Sequence, residues 1–151
     1  MEKIINDFTI NIATANGTGS QSANLILLES LFDMGVPVSG KNLFPSNISG
    51  LPTWYILRLS EKGYQAPGDR AHIQILVNPD TWDDDLESLE AGSVVIWNSN
   101  TKKKTVERDD VFSYPLPMTK LAKGINPKLS KLVTNIIYVG ALAELLGIDQ
   151  E

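Results

Sequence analysis

The segment Asn16-Gly17-Thr18-Gly19-Ser20-Gln21-Ser22 lies between an alternating apolar run and a helical pattern. The run at residues 8–13 predicts a first strand, and residues 23–34 repeat apolar side chains at the three- and four-residue spacing of an amphipathic helix. Glycines let the backbone approach a ligand closely, and the free N–H groups and dipole of a helix start favour negative charge. The turn therefore predicts an anion-binding site, which the rest of the chain is expected to hold in place.

The remainder of the chain divides into short strands and helices, separated by stretches rich in glycine, proline and asparagine. The apolar runs predict further strands at residues 36–41, 53–60, 72–77, 93–98 and 111–116. Helical patterns predict helices at residues 82–90, 118–123 and 126–146.

Individual residues are expected to set the ends of two helices. Ser20 or Ser22 can cap the first helix, because a serine oxygen accepts from the orphan N–H groups of the first turn. Gly35 is expected to end that helix. Asn126 is a good cap for the last helix, and Pro127 is tolerated at its first position.

The alternation of strands and helices predicts an α/β fold in a single domain, with a Rossmann-like, mostly parallel sheet and helices on both faces. Ligands of such sheets bind beyond the carboxyl ends of the strands. The turn at Gly17 is expected at such an end, and so is Lys41. The polar stretch 100–110 is expected to form a hairpin or a surface excursion.

Composition narrows the function classes. The 151 residues suit one domain, and the net charge of −5 gives no broad basic field for nucleic acid. The absence of cysteine excludes disulfides and cysteine-ligated zinc or iron–sulfur sites within this chain. The first residues lack the apolar core of a signal peptide, and the most apolar helix carries Lys131 and Glu144, so we expect a cytoplasmic protein without a membrane span.

The turn matches known nucleotide motifs only in part. Ser22 stands where the dinucleotide fingerprint has its third glycine, and Lys41 lies where that fingerprint has an acidic residue for the ribose. Ordinary nicotinamide binding is therefore disfavoured. The turn also lacks the lysine of a nucleoside-triphosphate loop. Two possibilities remain: the turn binds a phosphate-rich ligand, or it is a tight strand-to-helix connection that binds no ligand.

Other conspicuous residues favour structural roles. His72 is the sole histidine and flanks a strand, so it is expected at a strand edge or in the core. The acidic residues between 80 and 90 lack the spacing of a calcium loop and are expected to form a solvated helix start. Lysines 102–104 precede acidic residues and predict an exposed turn. Trp54 and Tyr55 straddle a strand, so one is expected to pack in the core rather than stack on a ligand.

Three blocks in order, residues 10–24, 41–55 and 135–143, resemble the gamma domain of 2-oxoacid:ferredoxin oxidoreductases. The second block resembles the form in which this domain is fused ahead of an alpha domain, as in 2-oxoglutarate-type subunits. The chain departs from many relatives at Ser20 and Ser22, where they carry glycines. It also departs at residues 46–50, where they carry arginine and two glycines.

The resemblance implies a complex that oxidatively decarboxylates a 2-oxoacid, here 2-oxoglutarate, passes electrons to ferredoxin and delivers the acyl group to coenzyme A. Thiamine diphosphate and iron–sulfur clusters are expected in partner domains or subunits, namely the alpha domain and a thiamine-binding beta subunit. Residues 1–151 are then a gamma domain and a fragment of a longer subunit, expected to be inactive when isolated.

The resemblance also implies a cofactor site for coenzyme A, without catalytic residues or metal ligands in this chain. The expected contacts are Asn16, Gly17, Thr18, Gly19, Ser20, Gln21, Lys41, Ser46 and Asn47. Two alternatives stay open: a stand-alone Rossmann-like module that binds a nucleotide-type ligand without redox activity, and a structural subunit-contact domain whose turn is empty.

Overall fold

A computed structural model describes residues 6–46, 48–68 and 70–148, which form one six-stranded sheet with helices. The strands are β1 (Asp7–Ala15), β2 (Val38–Leu43), β3 (Pro52–Ser60), β4 (Ile73–Leu76), β5 (Val94–Asn98) and β6 (Phe112–Leu116). The helices are α1 (Ser20–Asp33), α2 (Trp82–Glu87), α3 (Met118–Ile125) and α4 (Ser130–Leu146), with a 3₁₀ turn at Pro127–Leu129 before α4.

The sheet is mostly parallel, in the order β2-β3-β1-β4-β5-β6. Parallel pairing joins β1 to β4, β4 to β5 and β5 to β6, whereas β3 runs antiparallel to both β1 and β2. The loop between β2 and β3 is short, and parallel neighbours need a crossover of about a dozen residues or more, so β3 must return antiparallel. As a result β1 and β2 end at the same edge of the sheet.

Both faces of the sheet are covered, as the α/β pattern predicts. Leu27 of α1, Met118 of α3 and Tyr138 of α4 share one hydrophobic cluster with inward residues of the strands. A second cluster on the other face joins Trp82 of α2 to residues of β4 and β5. The Trp82 and Trp97 rings meet edge to face, 5.8 Å between centroids. The prediction of an α/β, Rossmann-like sheet with helices on both faces is confirmed.

Several local predictions differ from the structure. Gly19 rather than a serine precedes α1, in the left-handed region and without a side-chain cap. Asn126 does accept from two backbone N–H groups, but it caps the 3₁₀ turn, and α4 begins only at Ser130. The hairpin alternative for residues 100–110 is wrong, because β5 and β6 are parallel and this stretch is the crossover between them.

Helix α4 and the 3₁₀ turn before it form an apolar segment of unusual length. By length and composition alone the segment Pro127–Leu146 could cross a membrane, with a mean hydropathy of 1.4. Its inner side chains, among them Tyr138 and Leu142, are wholly buried against the sheet. Packing of these inner side chains in the core explains why that face of the helix is apolar.

Candidate functional site

The turn after β1 is fixed by Asn16. Its backbone continues the pairing of the sheet, since its N–H donates to Leu51 O and its O accepts from Gly50 N, both at 2.8 Å. Its side-chain Nδ2 donates to Ser46 O at 3.4 Å and to Ile48 O at 3.3 Å. Asn16 thus ties the loop between β2 and β3 to the glycine turn.

Two positions of the turn require glycine. Gly17 and Gly19 have φ of 79° and 81°, a region that residues with a side chain adopt at a cost. A Cβ atom on Gly17 would lie 2.5 Å from Ser49 Oγ, and one on Gly19 would lie 2.8 Å from Leu132 Cδ1. The turn is therefore closely packed between the β2–β3 loop on one side and α4 on the other.

The turn borders an open cavity of about 390 Å³ at the carboxyl ends of β1 and β2. Its floor comes from the strands and one wall from the first two turns of α1. Among the described residues, every one that lines it is uncharged: Thr14, Asn16, Gly17, Gly19, Ser20, Gln21, Ser22, Asn24, Asn42, Phe44, Thr53 and Tyr55.

Hydrogen bonds between neighbouring elements order the polar lining. Thr14 Oγ1 donates to Ser20 Oγ at 2.9 Å, so β1 is joined to the start of α1. The Tyr138 hydroxyl donates to Asn24 Oδ1 at 2.8 Å, which joins α4 to α1. Burial raises the pKa of Tyr138, so its hydroxyl keeps its proton at neutral pH. The cavity can therefore offer neutral donors to an oxygen-rich ligand.

The structure brings five of the predicted contacts to the cavity: Asn16, Gly17, Gly19, Ser20 and Gln21. Thr18 lies in the turn but is used internally, since Oγ1 donates to Ala15 O and its own O accepts from Asn135 Nδ2.

Three other predicted contacts fall elsewhere. Lys41 is exposed and does not line the cavity; its neighbour Asn42 does, and successive strand residues point to opposite faces. Ser46 reaches the site only through the bond from Asn16 to its carbonyl oxygen. Asn47 lies outside the described residues.

Several lining residues were not predicted from the sequence. Asn24 is 2% exposed and follows Ser20 by one helical turn on the buried stripe of α1, together with Leu27 and Leu31. The sequence signal that could have identified Asn24 is a polar residue at a position on the buried face of the helix. No sequence signal marks Asn42, Thr53 and the other strand residues, because their position beside the cavity depends on how β2 and β3 pair.

The remaining conspicuous residues have structural roles. His72 Nδ1 accepts from Thr9 N at 3.1 Å, and partial burial, with Arg70 nearby, lowers its pKa. Within the part of the chain that the structure describes, no group of three or more acidic or histidine side chains could hold a metal ion. The expectation of a wholly solvated acidic helix start was wrong for Asp85, which is buried and accepts from Trp54 Nε1 and Thr81 Oγ1.

Gly40→Ala is expected to disturb the cavity and to destabilise the fold by about 1–3 kcal/mol through overpacking. A Cβ atom there would collide with the Tyr55 hydroxyl and would lie 2.5 Å from Leu28 Cδ1. Denaturant unfolding measures the loss. Gly124→Ala is the control, since its Cβ would meet nothing within 4 Å and alanine favours the helix. Equal stability of the two variants would contradict the prediction.

Comparisons with solved structures agree with this fold. A 2-oxoglutarate:ferredoxin oxidoreductase from Magnetococcus marinus, described with 2-oxoglutarate, coenzyme A and succinyl-CoA bound, superposes with a TM-score of 0.85 at 24% identity. The match covers 97% of this chain and 25% of that chain. This chain therefore spans about a quarter of that relative's length.

Two separate subunits also match. A pyruvate oxidoreductase subunit from Thermotoga maritima gives a TM-score of 0.74 at 19% identity, covering 96% of this chain and 79% of that one. The gamma subunit of a keto/oxoacid ferredoxin oxidoreductase from Geobacter sulfurreducens gives 0.73 at 18%, covering 93% and 78%. At these identities the likeness concerns the fold.

No curated protein sequence matches the chain significantly. The sequence profile of one family does match, over residues 9–151, which include the glycine turn, the cavity residues and α4. The resemblance to 2-oxoacid:ferredoxin oxidoreductases is thereby confirmed at the level of the family. The chain belongs to the pyruvate ferredoxin/flavodoxin oxidoreductase family.

Proposed function

We propose that this chain is the gamma domain of a 2-oxoacid:ferredoxin oxidoreductase, part of a longer subunit, and that its cavity docks coenzyme A. The observation that carries the proposal is the cavity at the carboxyl ends of β1 and β2, bordered by two glycines in the left-handed region. Its neutral donors and the N–H groups at the start of α1 suit the oxygens of a diphosphate.

The substrate is proposed to be 2-oxoglutarate. The support is the sequence resemblance to 2-oxoglutarate-type subunits and the Magnetococcus marinus protein, which is described with 2-oxoglutarate, coenzyme A and succinyl-CoA bound. In the proposed complex coenzyme A accepts the acyl group. The chain's own part is to bind and orient coenzyme A and to help assemble the complex.

Thiamine diphosphate and iron–sulfur clusters are proposed to be held by partner domains or subunits, the alpha domain and the thiamine-binding beta subunit, with ferredoxin as electron acceptor. The sequence has no cysteine to ligate a cluster. Exposed apolar side chains near the start of α4 support a protein partner: Leu129 of the 3₁₀ turn and Leu132 and Ile136 of α4 are exposed at 51%, 42% and 47%. A cytoplasmic location stays part of the proposal.

Coenzyme A is expected to protect the assembled enzyme against unfolding of this domain. A ligand at 100 times its Kd stabilises the folded state by about 2.7 kcal/mol, which thermal unfolding detects. NAD is the control and is expected to give no shift, because the turn lacks the acidic ribose contact. A shift with NAD but not with coenzyme A would instead favour the alternative of a stand-alone nucleotide-binding module. No shift with either would contradict ligand binding at the turn.

A further inference from the structure

One buried amide in the cavity has its orientation set from a distant part of the chain. Asn24 is 2% exposed and lines the cavity, and its Oδ1 accepts from the Tyr138 hydroxyl. Tyr138 belongs to α4, and its side chain is wholly buried. An amide whose oxygen is held in this way turns its NH₂ group to the other side.

The Asn24 NH₂ group has no acceptor among the described residues, although the residue is almost fully buried. Asn24 Nδ2 is not among the buried polar atoms that lack a partner, so this donor is open to the cavity, where a ligand can accept from it. Asn24 lies one helical turn after Ser20, on the same side of α1, and both line the cavity. The free donor therefore lies beside the N-terminal turn of the helix, where an anion would bind.

We propose that Asn24 donates from Nδ2 to a phosphate oxygen of the ligand, and that Tyr138 is a positioning residue that holds the amide in this orientation. The inference rests on the proposed docking of coenzyme A and adds a donor outside the glycine turn. The Tyr138 hydroxyl donates to Asn24 Oδ1 at 2.8 Å, and burial raises its pKa, so the proton that makes this hydrogen bond is retained at neutral pH.

The decisive variant is Asn24→Asp. An aspartate keeps the oxygen that accepts from Tyr138 but loses the donor and places a negative charge beside the phosphate. In the assembled enzyme we expect the KM for coenzyme A to rise about tenfold or more, with kcat unchanged; tenfold corresponds to about 1.4 kcal/mol. Asn100→Asp is the matched control, since Asn100 Oδ1 also accepts a hydrogen bond, from Lys120 N at 2.9 Å, and lies outside the cavity.

Tyr138→Phe is the second variant, and it is informative even where Asn24→Asp does not fold. It removes only the hydroxyl, so the amide can rotate, and we expect a KM increase of about two- to fivefold, smaller than for Asn24→Asp. Nuclear magnetic resonance of the full chain gives a direct readout. The Asn24 NH₂ resonances are expected to shift when inorganic pyrophosphate is added and to stay in place with pantetheine, which has no phosphate.

Wild-type kinetics in both variants, or Asn24 resonances that do not move with pyrophosphate, would overturn the inference. A shift with pantetheine alone would also overturn it, since Asn24 would then contact the other end of the ligand. If Gly19→Val weakens coenzyme A use while both of these variants behave as wild type, the docking proposal stands and this inference fails. If the wild type binds neither coenzyme A nor pyrophosphate, both fail.

Discussion

Gly19→Val is expected to abolish coenzyme A docking and to lower the free energy of unfolding by about 3 kcal/mol. Gly19 has φ of 81°, and its Cβ would lie 2.8 Å from Leu132 Cδ1 of α4. A branched side chain is strained in this conformation, and it also meets the side chain of Leu132. The exposed Leu132 side chain can rotate away from the added atoms, but the strained backbone of the turn must shift, and the N–H groups that border the cavity shift with it.

Gly35→Val is the control that separates the effect of backbone strain from the effect on the site. Gly35 stands at the other end of α1 with a similar φ of 78°, and a Cβ there would meet nothing within 4 Å. We expect this control to lose about 1–2 kcal/mol from backbone strain alone and to keep its affinity for coenzyme A. Denaturant unfolding and the KM for coenzyme A in the assembled enzyme are the measurements. Equal losses of stability and unchanged KM in both variants would contradict the assignment of Gly19 to the site.

The glycine turn shows which features of the site could be predicted from the sequence alone. The strand, turn and helix were predictable because their spacing and glycines are local features, and the alternation of elements predicted the mostly parallel sheet. The contacts that hold the turn were not predictable in the same way. Asn135 donates to Thr18 O and Tyr138 to Asn24 Oδ1, across 117 and 114 residues of sequence.

Those two contacts share one physical origin. Asn135 and Tyr138 are three residues apart, so they lie on the same face of α4, and both point toward the start of α1. One reaches the backbone of the turn and the other reaches a cavity residue. Helix α4 therefore holds two parts of the site in place, and a displacement of α4 would disturb both the glycine turn and Asn24.

The serine caps and the acidic cluster show why local patterns misled. Ser20 has the chemistry of a cap, but its hydroxyl instead accepts from Thr14, a residue of the strand. Asp85 has the sequence surroundings of a solvated carboxylate, with Asp83 and Asp84 beside it. It is buried because Trp54 of β3 supplies an indole N–H at 2.8 Å, and no local pattern could reveal that partner.

Asp85→Leu is expected to destabilise the fold by about 2–3 kcal/mol. Asp85 is 8% exposed and accepts from Trp54 Nε1 at 2.8 Å and from Thr81 Oγ1 at 2.7 Å. Leucine would leave both donors without an acceptor at the junction of β3 and α2. Asp84→Leu is the matched control, because Asp84 is exposed on the same helix, and a change within about 0.5 kcal/mol is expected there. Similar losses in the two variants would argue against the buried pairings.

Asp85→Asn tests the charge rather than the contacts. Burial, helped by the charge of Asp84, raises the pKa of Asp85, although the hydrogen bonds from Thr81 and Trp54 oppose the rise. Between its unfolded pKa, about 3.9, and its raised folded pKa, the folded protein holds more protons than the unfolded one, so this group's contribution to stability falls as the pH rises. Asparagine can still accept from Trp54 and donate to Thr81, but it does not titrate. The stability of Asp85→Asn relative to the wild type should therefore rise with pH through this window and level off above it. If denaturant unfolding at a series of pH values gives a constant difference, the carboxylate is not desolvated in the folded state.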